Sequence, residues 1–282
     1  MPFPTKAKTE KKYSLPGGPH LRAGLSSRKI IWGTVTLLTP IWVLKALFFG
    51  GGVLQVLVVS VSAAVGSEYL FCLAIGKIPR IQDGSSILAA VLLALLFPAQ
   101  TAWPVVLISS SVGTILGKEV FGGLGQNLFH PALVGYAAIC ALFPDSGVPA
   151  LAVQTPHAYG IVSIATAAVG LALVMKKWIY WGTPLFYLTA VAVGALATGE
   201  SALMLISNNA ILLCAFFFAA DTVTAPVSRN GRILYSIITG VLTVILYSDG
   251  NLTRAVAFSG ILANSTVPLL DRFVRARLRW TG

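Results

Sequence analysis

The residues best placed to do chemistry lie between Gly117 and Ala132, G-K-E-V-F-G-G-L-G-Q-N-L-F-H-P-A, with apolar stretches on both sides. Irregular polar backbone at membrane depth is tolerated only where protein buries it or where it lines a cavity, so this segment marks a binding place. Gly122 and Gly123 would let backbone N–H groups come close to a ligand. No G-K-S/T follows them and no strand precedes them, so neither a Walker loop nor a dinucleotide fingerprint is present. Lys118 either pairs with Glu119 or holds an anionic ligand, and Asn127 adds an amide. A second polar segment, A-A-D-T-V-T-A-P-V-S-R-N-G-R, contributes Asp221, Thr222 and Thr224. Lys118, Gly122, Gly123, Asn127, Asp221, Thr222 and Thr224 are therefore candidate cofactor-binding residues.

Acids within apolar stretches form a second group. Glu68, in V-S-A-A-V-G-S-E-Y-L-F-C, is expensive at membrane depth unless paired, protonated or hydrated. It is either functional or half of a structural pair with a base on a neighbouring helix. Glu68, Asp83 and Glu119 are the candidates for an ion pathway. The three histidines are scattered and no serine sits on a nucleophile elbow, so no catalytic residue is assigned. Cys72, Cys140 and Cys214 stand singly in apolar stretches, without the spacing of a zinc or iron–sulfur site, and no metal is expected.

The elements that position these residues follow from composition. Of 282 residues, 56% are hydrophobic and 10% charged, with a mean hydropathy of +0.83. That composition reads as an integral membrane protein. About ten apolar stretches can be marked: 30–49, 52–75, 86–97, 103–117, 131–143, 159–175, 184–198, 202–220, 233–247 and 255–270. Several fall short of the roughly 20 residues a spanning helix needs, so broken or re-entrant helices are expected. No apolar signal segment is visible at the start. With the N-terminus inside and ten spans, all of the 20 basic residues except Lys45 and Arg254 fall on one side. This positive-inside asymmetry puts both termini in the cytoplasm and accounts for the net charge of +11 without nucleic acid. Asp83 and Asn127 are echoed by Asp221 and Asn264 at a similar spacing, with Pro131 and Pro268 each four residues beyond the asparagine. Five spans in each half would make the second copy an inverted repeat, an arrangement that places ligands at discontinuous helices.

The motifs D-G-S-S-I-L-A-A-V-L-L-A-L-L-F-P, F-G-G-L-G-Q-N-L-F-H-P-A-L-V-G-Y and F-F-F-A-A-D-T-V-T-A-P-V-S-R-N-G-R resemble those of the NqrB/RnfD family. So do G-V-L-T-V-I-L-Y and L-A-N-S-T-V-P-L-L-D-R, and the resemblance runs from about residue 28 to 273. The short N-terminus and overall length look more like the RnfD branch. The resemblance implies an all-α membrane fold of two inverted five-helix repeats, like urea transporters. The repeats would occupy 29–143 and 159–273, joined by an outer loop over 144–158. A basic segment over 1–28 and a tail over 274–282 would lie in the cytoplasm.

It further implies a subunit of an RNF-type ferredoxin:NAD oxidoreductase in a bacterial or archaeal cytoplasmic membrane, moving Na⁺ or H⁺. Iron–sulfur and NADH-binding subunits would be its partners. An NqrB-like subunit of a quinone-reducing complex and a non-redox channel on the same fold are the alternative readings. The cofactor implied is FMN esterified to an outer threonine, with riboflavin also within the fold. The family's S-G-A-T motif is absent. The position that matches it is Thr155 in L-A-V-Q-T-P-H-A, where Ala152, Val153 and Gln154 replace the small residues. FMN on Thr155, flavin held without a covalent bond, and a subunit without flavin all stay open. Leu128 and His130 stand where the family commonly has proline and asparagine.

Overall fold

The computed structural model describes residues 26–143, 156–247 and 250–275, and among them the regular elements are all helical. In the first half these are α1 (Ser27–Phe49), α2 (Gly51–Ala74), α3 (Ser85–Leu96), α4 (Trp103–Thr114) and α5 (Pro131–Leu142). The second half holds α6 (Pro156–Met175), α7 (Gly182–Thr198), the short α8 (Ala202–Ile206) and α9 (Asn209–Leu213), α10 (Arg229–Ile245) and α11 (Leu252–Arg275). Single π-turns, Ile115–Glu119 and Cys214–Phe218, continue α4 and α9. Three helices, α1, α2 and residues His157–Met175 of α6, are long and apolar enough to cross a membrane. Leu47, Leu70, Met175, Leu196 and Leu203 are exposed on the helix surfaces. So much exposed apolar surface needs a lipid environment, and the chain is a multi-pass membrane protein.

The breaks expected from the short stretches are present. Twelve residues make α3 about 18 Å long, against a hydrocarbon core of about 30 Å. It is apolar on all sides, and Ala89 through Phe97 are buried, as a helix enclosed by others must be. Helices α1, α2, α4 and α5 surround it. One residue ahead of its N-cap Gly84, Asp83 Oδ1 accepts from the Ser85 backbone N–H (2.8 Å) and the Ser85 hydroxyl (2.6 Å). Its tail is capped by Lys45, whose Nζ donates to the carbonyls of Leu95 and Phe97, both at 3.3 Å. Lys45, expected in an outer loop, is thus a buried residue of α1. A lysine that finds orphan helix carbonyls can stay within a span, and counting spans by length alone misplaces it. Arg254, expected outside with it, lies in the first turn of α11.

The apolar stretch 202–220 divides into α8, α9 and a π-turn, and Asn208 opens α9 by accepting from the Ala210 N–H at 2.9 Å. Helix α2 packs on α4 and α4 on α5; α7 packs on α10 and α10 on α11. Pairs α1–α6 and α5–α11 join the two groups. The α4–α5 crossing is close because Gly113 and Gly135 face one another: a Cβ on Gly113 would lie 2.5 Å from the Pro131 carbonyl oxygen. The spacing of Asn127 and Asn264 does not mark equivalent places, since Asn127 lies in the turn before α5 and Asn264 within α11.

Candidate functional site

Two adjoining features gather the polar residues, and Lys118 belongs to both. The first is a buried ion cluster. The π-turn that ends α4 carries Lys118 and Glu119 and turns both inward, where they are buried. Such single π-turns occur frequently at functional sites. The Lys118 ammonium lies 3.1 Å from Glu68 Oε2 of α2 and 3.2 Å from Glu119 Oε1. It also donates to the Ser86 hydroxyl at the head of α3, at 2.8 Å. The Cys72 thiol, one turn beyond Glu68, points at Glu119 Oε2 at 3.5 Å. The pairing considered for Glu68 is therefore real, and it has two acids to one base.

The second feature is a cavity of roughly 370 Å³ between the two helix groups. Its walls are largely apolar: Ile31 of α1, Leu88, Ala89 and Leu92 of α3, Leu173 and Trp178, and Phe216 and Phe217 of the second π-turn. Lys118, Asn127, His130, Asp221 and Thr222 bring polar groups to it, with Ser27, Thr34 and Ser85. Small-molecule sites have this size range and this mixture of apolar wall with few polar groups. Asp221 is held in place because its Oδ2 accepts from the Thr224 N–H (3.2 Å) and hydroxyl (2.9 Å). His130 caps α5, its Nδ1 accepting from the Ala132 N–H at 3.3 Å, and its ring meets Phe218 edge-on at 4.9 Å. With its amide turned to suit its neighbours, Asn264 of α11 accepts from the His130 N–H at 3.1 Å.

Of the residues picked out from sequence, Lys118, Asn127, Asp221 and Thr222 line one cavity and Thr224 fixes Asp221. Gly122 and Gly123 do not line it. They form a turn at φ +115° and +96°, and a Cβ on Gly122 would collide with the Gln126 side chain; Gly125 of the same turn does reach the cavity. Glu68 and Glu119 meet at Lys118, whereas Asp83 serves α3. Thr155 lies outside the described residues. Trp178, Phe216 and Phe217 had no distinguishing sequence signal, because aromatic residues in apolar stretches look like ordinary packing.

The second half has no matching ion cluster among the described residues. Its core holds neutral hydroxyls: Tyr187 contacts Thr243 (3.2 Å), Thr243 contacts Ser259 (2.8 Å), and Asn264, in the amide orientation that accepts from His130, donates to the Tyr235 hydroxyl. The described residues contain no group of His, Cys, Asp and Glu that could hold a metal ion.

Broken helices, a cavity at their ends and a buried ion cluster beside it are features of a multi-pass membrane protein, in a class whose ligand sites lie where helices stop. The chain belongs to the NQR2, RnfD, RnfE family, whose model matches residues 15–149 and 148–279. It is 30% identical to the D subunit of the ion-translocating oxidoreductase complex of Methanosarcina acetivorans, over 90% of this chain and 92% of that protein. The D subunit of the Na(+)-translocating ferredoxin:NAD(+) oxidoreductase complex of Acetobacterium woodii is 27% identical, over 95% of this chain and 96% of the relative. Its counterpart in the proton-translocating ferredoxin:NAD(+) oxidoreductase complex of Clostridium ljungdahlii is 28% identical, over 93% and 95%. These relatives are subunits of ion-translocating oxidoreductase complexes, and two of the names specify an ion, Na⁺ in one and the proton in the other.

Proposed function

We propose that this chain is the flavin-binding membrane subunit of an RNF-type ferredoxin:NAD oxidoreductase that couples electron transfer to Na⁺ or H⁺ translocation. The observation that carries the reading is the cavity shared by Lys118, Asn127, Asp221 and Thr222, in a chain similar along nearly its whole length to the D subunits of such complexes. Two inverted five-helix repeats are supported by the packing. The sets α2–α4–α5 and α7–α10–α11 mirror one another, α1 meets α6, and α5 meets α11. The short α3 and α9 correspond, and ahead of each a side-chain oxygen, of the Asp83 carboxylate and of the Asn208 amide, accepts the backbone N–H two residues on. Both termini are cytoplasmic in this reading, and iron–sulfur and NADH-binding subunits of the complex deliver and remove electrons.

The cavity residues fit a flavin. Leu92, Leu173, Phe216 and Phe217 would cover the faces of a planar ring, and Asn127, Thr222 and the Lys118 ammonium would meet its polar edge. Bound there, flavin supplies one- and two-electron chemistry while the protein supplies position and electrostatics. The apolar walls exclude water, which strengthens the field of Lys118 at the polar end. Thr224 keeps Asp221 from turning away. FMN joined through its phosphate to Thr155 is a second, outer flavin in this proposal, distinct from the cavity.

The test is the flavin content of the complex purified through this chain. Fluorescence that survives denaturing electrophoresis and disappears in Thr155→Ala supports the covalent flavin. Flavin released into the supernatant on denaturation supports the cavity flavin. Colourless protein that carries a small solute into liposomes would overturn the redox reading in favour of a channel on the same fold.

A further inference from the structure

We infer that Glu68, Lys118 and Glu119 form a proton-loading site tied to the cavity, taking up one proton when negative charge is placed beside Lys118. The inference rests on the cavity holding a redox-active ligand. One ammonium lies within 3.2 Å of two carboxylates, so with every group ionised the cluster carries a net charge of −1. The three side chains are buried, at 2%, 3% and 8% exposure for Glu68, Lys118 and Glu119. A buried uncompensated charge is costly, and the protein must balance it.

The oxygens that would take the balancing charge are identifiable. Glu68 Oε2 and Glu119 Oε1 lie at ion-pair distance from Lys118 Nζ, yet each is buried without an aligned hydrogen bond. Their lone pairs are open to a proton. The ammonium already holds the place between the carboxylates that a metal cation would take, which selects a proton over Na⁺.

Asp221 shares the cavity with Lys118, where its carboxylate is held by Thr224; the ionisable groups on the elements packed against the cluster leave its balance intact. Cys72 of α2 points its thiol at Glu119, and Tyr69 of the same helix is exposed. Asp83 is committed to Ser85 at the head of α3, and Lys45 of α1 is committed to the far end of α3. Arg28 and Lys29 of α1 are exposed. Helices α3 and α4 carry no ionisable side chain, α5 carries only Tyr136 and Cys140, and His130 caps it at the cavity.

Lys118 links the two features because it lines the cavity and pairs with both acids. An electron delivered to the cavity by a one-electron carrier of a partner subunit adds one negative charge next to the ammonium. The ammonium then shields the carboxylates less. One proton from hydronium of the aqueous phase forms an O–H bond on Glu68 or Glu119 as the O–H bond of the hydronium breaks and leaves water, and the same proton returns to water when the electron leaves.

Reduced-minus-oxidised infrared difference spectra of the purified complex, in H₂O and in D₂O, test this. The expected result is a protonated carboxylic acid band that appears on reduction and shifts in D₂O. Glu68→Gln and Glu119→Gln should each bring the band down to background, and Lys118→Arg should keep it. Should one glutamine variant fail to assemble, the other and the unaltered complex decide. Visible bleaching of flavin with no acid band overturns the proton site and leaves the parent reading standing. A band that survives in both glutamine variants also overturns it, as does a carboxylate band that follows Na⁺ concentration. Absence of any flavin signal fails the parent reading instead.

Discussion

Replacing Lys118 by methionine keeps the volume of the side chain and removes its charge. The structure then holds two buried carboxylates with no counter-charge, where each had been 3.1–3.2 Å from the ammonium. Ser86 also loses its 2.8 Å donor. Breaking a buried pair by deleting one partner costs about 3–5 kcal/mol, because the other partner stays behind as an unpaired charge. For a large domain each kcal/mol lowers Tm by about 2 °C, so Lys118→Met should lower it by about 6–10 °C. Thermal unfolding of the detergent-solubilised complex, followed by intrinsic fluorescence, measures the shift. The triple variant Glu68→Gln, Lys118→Met, Glu119→Gln removes all three charges together and should recover most of the loss. A single variant as stable as the unaltered protein would refute the buried, uncompensated cluster. So would a triple variant no more stable than the single one.

Lys45→Met strips the carbonyls of Leu95 and Phe97 of their donor and should destabilise the protein by about 1–3 kcal/mol, read in the same melt. Gly135→Val forces a side chain into the Ser109 backbone across the α4–α5 crossing, and overpacking of this kind costs about 1–3 kcal/mol, visible as reduced yield of assembled complex. Asp83→Ala removes the acceptor of the Ser85 N–H and hydroxyl ahead of α3 and should cost about 1 kcal/mol while leaving the carboxylic acid band in place. Loss of that band in Asp83→Ala would instead put Asp83 in the ion pathway.

Much of the site was legible because charge and amide groups are conspicuous in apolar sequence. Lys118, Asn127, Asp221 and Thr222 stood out for that reason, and they share one cavity. Glu68 stood out too, and its pairing with a base was one of two open readings. The local signature Asp83-Gly84-Ser85 belongs to a helix start as readily as to an ion path, and the hydrogen bonds to Ser85 show the helix start. The π-turns could not be foreseen, since they arise from tertiary packing and not from residue type. The Tyr187–Thr243–Ser259 contacts were equally hidden: hydroxyl residues sit in apolar helices without any pattern that names their partner. The short stretches foretold broken helices, and α3 and α9 provide them, but the depth at which each stops depends on caps such as Lys45.

A flavin in the cavity beside Lys118 must be countable separately from any flavin on Thr155. Acid denaturation of the complex carrying Ala89→Trp, which fills the cavity from α3, makes that count possible. Released flavin should fall by one equivalent per complex, while fluorescence retained on the denatured chain stays unchanged. Release at the unaltered level from an assembled Ala89→Trp complex would contradict a flavin in this cavity.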